Sequence, residues 1–433
     1  MEWYFGAVIV IFAILILLAM RMPLGFVFGV VGAAGIVIYS GRLSVLTALA
    51  QSLHDMLSDF VLITIPLFVL MAELLSASDF IPDLYTSVEK LAGRLRGSMA
   101  IATIVASALF AAVCGSSYVT AASLGKMTMP EMLGRAYKKP LAAGSVAAGG
   151  SLGILIPPSL AFVIYGYMSG ASIAALFIAG IIPGIILSSL FILCIFVWIK
   201  LYPDIARAGQ RVILREKLRS SIKIIPIVML AIFMLAIIYL GTATPAEAAA
   251  LGCFFSAMLG VVYRRLNWKI FLGGIQRSIA TAGFLLLLMG TAKVLAFMVA
   301  KAGIMYGFQQ ALSGLSVWVF ILLLYCTIAL MGLFLEGTSI VVLTTPIFAP
   351  AVSAIGLDLI WYGVVLVLFI EIAMITPPVG MNCYIVAEVG KSFGIRIEDV
   401  FRGIFPFLIA LIVTVVLATF FPNLALWLPS TMR

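Results

Sequence analysis

Gly115-Ser116-Ser117, followed 42 residues later by Pro157-Pro158, is matched late in the chain by Gly337-Thr338-Ser339, followed 40 residues later by Pro377-Pro378. Residue 337 lies 222 positions after residue 115, and residue 377 lies 220 after residue 157, so the two sets keep nearly one offset. Glycine and proline interrupt helices, and serine and threonine bring oxygen to the interruption. In a chain of membrane helices, paired breaks at matching places in two halves point to a binding site at the repeat interface of a secondary transporter.

Composition identifies the solvent. Of 433 residues, 64% are hydrophobic and 10% charged, and the mean hydropathy is +1.26. These are too few charges to cover a soluble surface of this size, so the chain reads as an all-α polytopic protein of the lipid bilayer. Its net charge of +9 fits the Lys and Arg excess of cytoplasmic loops, and no basic groove with stacking aromatics suggests nucleic acid. Cys114, Cys194, Cys253, Cys326 and Cys383 stand singly in apolar runs, without zinc or disulfide spacing, and read as buried free thiols. Trp3 to Met20 lacks a basic leader and a cleavage pattern and reads as a retained first helix.

A spanning helix needs about 20 apolar residues. The predicted spans are 3–20, 24–40, 60–78, 141–168 and 172–199 in the first half, and 224–240, 246–263, 278–300, 360–389 and 404–428 in the second. Two further apolar segments, 98–134 and 317–355, are too long for one helix and carry the small polar interruptions. Split there, each yields two arms of about 15 residues, or about 22 Å, which stop short of crossing, so both are predicted to be re-entrant hairpins. The organisation is then a first repeat over 1–199, a basic linker over 200–223 and a second repeat over 224–433, each repeat with five spanning helices and one hairpin.

The linker carries Lys200, Arg207, Arg211, Arg215, Lys217, Arg219 and Lys223 and is read as cytoplasmic. Counting outward puts Arg21, Lys90, Arg94, Arg96, Arg135, Lys138, Lys139, Arg264, Arg265, Lys269, Lys391 and Arg396 on the same side, with Arg42 an exception. Both termini fall outside, so the repeats are predicted to have inverted topology and their hairpin tips to meet near the midplane.

Irregular backbone at that depth is tolerated only inside protein or beside a wet cavity. The tips, together with Gly149-Gly150-Ser151, Pro157-Pro158-Ser159, Thr376-Pro377-Pro378 and Gly380, offer carbonyls and hydroxyls suited to a small hard cation such as sodium. Half-helix N-termini beside them would hold an anion. Any one motif alone reads as close helix packing, and the paired set reads as a site. Glu247, just after Pro245, reads as an N-terminal cap, whereas Glu73, Glu371 and Glu388 are left as acids facing the interior or pairing with Lys126, Lys293 or Lys301. The single histidine, His54, excludes a His-based catalytic triad or a His-pair zinc site, and Gly390-Lys391-Ser392 lacks the first glycine of a phosphate loop, so no enzyme is predicted. An ion channel, or a pore conducting without substrate, is the competing reading, because exposed carbonyls also build selectivity filters.

Gly93-Arg94-Leu95-Arg96-Gly97-Ser98, the Gly115-Ser116-Ser117 tip, the run from Gly150 to Ser159 and the run from Gly241 to Ala249 together resemble the large membrane subunit of tripartite ATP-independent periplasmic (TRAP) transporters, over about Met22 to Pro406. The resemblance implies a sodium-driven, elevator-type importer of organic acids in the bacterial inner membrane. It also implies two partners, a periplasmic substrate-binding protein and a small four-helix membrane subunit on a separate polypeptide. By position it places one sodium around Gly115, Ser116, Ser117, Gly149 and Pro157, and a second around Gly337, Thr338, Ser339, Thr376 and Pro377. Substrate would lie between them, near Ser117, Ser159 and Glu336, the last standing where the family pattern often has Asp.

Overall fold

The computed structural model describes residues 3–41, 45–78, 80–209, 212–312, 316–332, 335–377 and 380–432. Arg42, Arg211 and Pro378 lie outside them. Among the described residues the chain is helical, with one isolated bridge between Arg96 and Ala208. Up to the linker the helices are α1 (Trp3–Ala19), α2 (Leu24–Ser40), α3 (Val45–Leu57), α4 (Thr64–Ala77), α5 (Ile81–Ala92), α6 (Ser98–Cys114), α7 (Ser117–Gly134), α8 (Lys139–Ser151), α9 (Leu160–Ser169) and α10 (Ile173–Leu201). From the linker onward they are α11 (Leu214–Ser221), α12 (Ile225–Tyr239), α13 (Pro245–Val262), α14 (Trp268–Lys301), α15 (Ile304–Leu312), α16 (Val317–Met331), α17 (Gly337–Ala354), α18 (Leu359–Ile375), α19 (Met381–Gly390), α20 (Ile397–Phe420) and α21 (Asn423–Leu426).

Among the described residues, six helical stretches are long and apolar enough to cross a bilayer: Phe60–Ala77, Ile173–Leu201, Pro245–Val262, Trp268–Lys301, Gly337–Ala354 and Ile397–Phe420. Two expected spans are broken instead. Residues 141–168 divide into α8 and α9 around irregular backbone at 152–159, and of residues 360–389 the described part divides into α18, which ends at Ile375, and α19, which starts at Met381. Proline removes the amide that the next turn needs, and α18 accordingly ends at Ile375, two residues before Pro377, whereas α8 already ends at Ser151, six residues ahead of Pro157. Residues 98–134 are α6 and α7, parted at Gly115-Ser116. The second interruption lies earlier than its sequence suggests: α16 ends at Met331, and Glu336 caps α17, so Gly337-Thr338-Ser339 already form that helix's first turn. The returning arms α7 and α17 have 18 residues each, longer than the expected arms.

The most extensive helix packings, α2 on α14, α8 on α20 and α4 on α13, join the two sequence halves, and the smaller packings of α9 on α17, α7 on α19 and α10 on α18 cross between the halves as well. Small residues permit this. Gly25, Gly29, Gly32 and Gly35 turn one face of α2 to α14, and a Cβ on Gly32 would stand 2.9 Å from the Leu295 amide nitrogen. At the α8–α20 crossing a Cβ on Gly144 would fall 2.2 Å from the Gly403 carbonyl oxygen, so the two backbones touch.

Basic residues gather at one end. Arg135 pairs with Glu89 at 2.6 Å, Lys223 pairs with Asp83 at 3.0 Å, and Arg265 also binds Asp83. Lys139 Nζ donates to the Gly394 carbonyl at 2.6 Å, and the Lys138 amide donates to the Ile205 carbonyl at 3.0 Å, drawing the linker and the α19–α20 turn to the same end. Burial pushes the Asp83 carboxyl up, but the hydrogen bonds and charges of Lys223 and Arg265 outweigh it and hold the group below the usual carboxylate range. Cys114 and Cys383 are buried, Cys194 and Cys253 are half-buried and Cys326 is exposed on α16, so the expectation of five buried thiols holds for two of them.

Candidate functional site

The first tip is fixed by backbone geometry. Gly115 has φ +65°, in the left-handed region that L side chains avoid, and a Cβ on it would stand 2.7 Å from the Pro158 carbonyl oxygen. Ser116 is the N-cap of α7, its Oγ accepting from the Val119 amide at 3.5 Å, while its carbonyl accepts from Thr120 Oγ1 at 2.8 Å. A Cβ on Gly153 would lie 2.6 Å from both the Ser116 carbonyl carbon and the Ser117 Cα. The tip therefore nests in the break between α8 and α9, where Gly115 meets Pro158 and Ser159 and where Ser116 and Ser117 meet Gly153.

Two predicted members hold other posts. Gly149 sits inside the last turn of α8, where a Cβ would fall 2.2 Å from Ser107 Oγ, so it serves the packing of α6 on α8. Ser159 is fully buried, and its Oγ donates to the Ile154 carbonyl at 2.5 Å, which closes the loop of the break on itself.

At the second tip the Glu336 carboxylate caps α17. Oε1 accepts from the Ser339 amide at 3.1 Å and from Ser339 Oγ at 3.0 Å, and it also accepts from Thr338 Oγ1. No hydrogen bond joins Glu336 to Ser117 or Ser159 among the described residues. Gly337 packs against Ile370 and Met374 of α18 and reaches Ile154 in the first break, with a Cβ position 3.7 Å from the Ile154 Cδ1. Thr376 closes α18 with its Oγ1 donating to the Ile372 carbonyl at 2.5 Å, and exposed Pro377 follows in a turn. Ile154 thus lies between the two tips.

The groups offered to a ligand depend on which helix end faces inward. α7, α9, α17 and α19 begin at the breaks and present amides, whereas α6, α8, α16 and α18 end there and present carbonyls. The residues singled out at the tips lie on the amide side, so cation-binding carbonyls come from the ends of the preceding helices. Hydroxyls of Ser116, Ser117, Thr338 and Ser339 stand at both tips.

Sequence reasoning missed the partner of a buried acid. Ser117 Oγ donates to Glu371 Oε1 at 2.5 Å, across 254 residues of sequence. Glu73 pairs with Arg277 at 2.6 Å, Glu388 lies 3.9 Å from Lys391 on the surface, and none of the three acids pairs with Lys126, Lys293 or Lys301. The pairing of α4 with α14 brings Glu73 to Arg277, a contact that sequence spacing does not encode. Glu247 forms the expected cap, with Oε2 accepting from the Thr244 amide at 2.8 Å.

The family described as tripartite ATP-independent periplasmic transporter, DctM component, matches residues 10–424. The C4-dicarboxylate TRAP transporter large permease protein DctM of Pseudomonas aeruginosa is 32% identical over 93% of each chain. The sialic acid TRAP transporter large permease protein SiaM of Vibrio cholerae is 30% identical over 97% of each. The fold is shared with the solved YdaH transporter of Alcanivorax borkumensis, with a TM-score of 0.63 at 14% identity over 89% of each chain. Its relatives are named as permeases rather than enzymes, and this multi-pass membrane chain belongs to the DctM component family, the large membrane subunits of TRAP transporters.

Proposed function

We propose that this subunit imports an organic acid anion across the bacterial inner membrane, driven by sodium and by an elevator displacement of the hairpin-bearing helices. It receives the anion from a periplasmic binding protein and works beside a small four-helix membrane subunit. The relatives named for C4-dicarboxylates and sialic acid support the organic acid class. The observation that carries the reading is the meeting of both tips with the α8–α9 break around Ile154, where helix ends and hydroxyls converge inside an apolar protein.

Sodium fits the donors. The buried Glu371 Oε2 has no hydrogen-bond partner, and oxygens from Ser117 and the carbonyl ends of α6 and α8 lie in the same region. When bound, sodium would supply the positive charge that draws the anion, and this chain's amide-rich starts of α7, α9, α17 and α19 would orient the anion beside it. Inverted repeats are supported by the exchanged packings, since offsetting α4 on α13 gives α14 on α2, and offsetting α7 on α19 gives α17 on α9. The elevator is supported by grouping: α2, α4, α13 and α14 pair with one another, and the hairpin arms α7 and α17 pair with the broken helices α8, α9, α18 and α19. The basic end is assigned to the cytoplasm, which leaves both termini periplasmic.

The test is uptake of a panel of organic acids into liposomes holding this chain with its small subunit, a loaded binding protein outside and an inward sodium gradient. Uptake is expected to saturate and to need all three proteins and sodium. Steady conductance without substrate would make the chain a channel, and full activity of the lone chain would remove the tripartite reading. Ser117→Ala and Thr338→Ala are each expected to weaken sodium activation in correctly inserted protein, and unchanged activation would remove those hydroxyls from the site.

A further inference from the structure

Among the described residues, Glu371 is the only acidic or basic residue that is buried, with no exposed surface at all. It stands on α18 one turn before the second break, and its Oε1 accepts from Ser117 Oγ at the first tip, 2.5 Å away. Oε2 is buried and has no hydrogen-bond partner, and no Lys, Arg or His pairs with the carboxylate. The neighbours from facing elements are Tyr118 of α7, whose hydroxyl lies 3.5 Å from Met374 Sδ, and Gly337, which abuts Ile370 and Met374. Just past the same break, Asn382 is also fully buried with both amide atoms unpartnered.

Neither simple state of this carboxyl is comfortable. Ionised, it is a charge within apolar protein at membrane depth, held by one hydrogen bond. Neutral, it can donate from Oε1 to Ser117 Oγ, but the buried Oε2 is still left without a partner. A small cation beside Oε2 removes both costs at once, since it balances the charge and occupies the idle lone pairs.

We infer that Glu371 is a carboxylate ligand of the cation held at the first tip, sharing it with Ser117. The inference rests on the sodium reading above and adds to it a charged ligand contributed by the opposite half of the chain. Occupation then ties α7 to α18, so the ion holds the first hairpin against a broken helix of the second half.

The experiment uses the purified full chain in lipid nanodiscs and reads sodium-induced thermal stabilisation against potassium at equal ionic strength, together with radioactive sodium binding. The wild type is expected to give a saturable, sodium-specific response. Glu371→Gln keeps the volume and an acceptor for Ser117 but removes the charge, and its sodium midpoint is expected to rise at least tenfold. A wild-type midpoint in a folded Glu371→Gln protein overturns the inference while leaving the sodium reading intact. Should that variant fail to fold, Glu371→Asp retains the charge at a shorter reach, and its preference between sodium and lithium is expected to change at least threefold; an unchanged preference overturns the inference. A wild-type chain with no sodium-specific response removes the sodium reading itself, and this ligand with it.

Discussion

At the first tip the chain reverses through Gly115 in the left-handed region, and a neutral hydroxyl, Ser116, caps the returning helix at 3.5 Å. At the second tip the cap is a carboxylate, Glu336, engaged by two hydroxyls and an amide of its own first turn. The first tip meets its acid in Glu371, which arrives from another helix and another half. Each tip hydroxyl set therefore faces one carboxylate, yet the acids do not correspond. By the 222-residue offset the counterpart of Glu336 is Cys114, and by the 220-residue offset that of Glu371 is Ser151. The backbone device is duplicated, whereas the charge is placed once per tip by different routes. Both acids are engaged through Oε1, Glu336 by its own helix and Glu371 by a hydroxyl from the other half of the chain, and only for Glu371 is the second oxygen also fully buried.

That contrast can be broken most severely at the paired glycines. Gly115→Ala forces a side chain into a left-handed conformation, costing about 1–2 kcal/mol, and adds a Cβ 2.7 Å from a backbone carbonyl. Gly337→Ala meets the Ile370 side chain at 2.9 Å and the Ile154 and Met374 side chains at ordinary contact distance, at a helical position where alanine is favoured. Thermal unfolding of the two variants is expected to show a clear loss for the first and less than about 1 kcal/mol for the second; equal losses would erase the difference between the tips.

The caps come next in size. Glu336→Ala is expected to cost about 1 kcal/mol as a lost N-cap, with Glu336→Gln recovering most of it. Ser116→Ala, at a cap distance of 3.5 Å, is expected near about 0.5 kcal/mol. Denaturation in the same detergent reads both, and a larger loss from Ser116 would mean that the neutral cap carries more than its geometry indicates.

The smallest effect lies away from the tips, where an acid has structural work only. Asp83 is held below its unfolded value of about 3.9 by Lys223 and Arg265 against the opposing effect of burial. Its contribution is therefore present above about pH 4 and fades as pH falls through the lower folded value. Asp83→Asn is expected to flatten this acid limb slightly while leaving the sodium midpoint at neutral pH unchanged; a shifted midpoint would connect the basic end to the site.

Much of this arrangement is legible in the chain itself, because glycine, serine and proline act locally. The breaks at Gly115 and before Pro377 fall where those residues require them, whereas α8 already stops at Ser151, six residues ahead of Pro157. Less legible are the amphipathic helices α3, α5, α11 and α15, whose polar faces disguise them as connections between apolar runs. The start of α17 is also displaced, since a side-chain cap four residues past the Gly332 stop decides where the helix resumes. The links Ser117–Glu371 and Glu73–Arg277 depend on which helices lie side by side, and no local pattern carries that information.

The crossing of Gly144 and Gly403 has a genetic consequence. A bulkier residue on either helix is ordinarily rescued by a smaller one opposite, but both partners here already lack a side chain, and the space is filled by the carbonyls of Gly403 and Pro140. Lesions at this spot accordingly have no local suppressor. Selections for revertants would return the original glycine or nothing from the facing position.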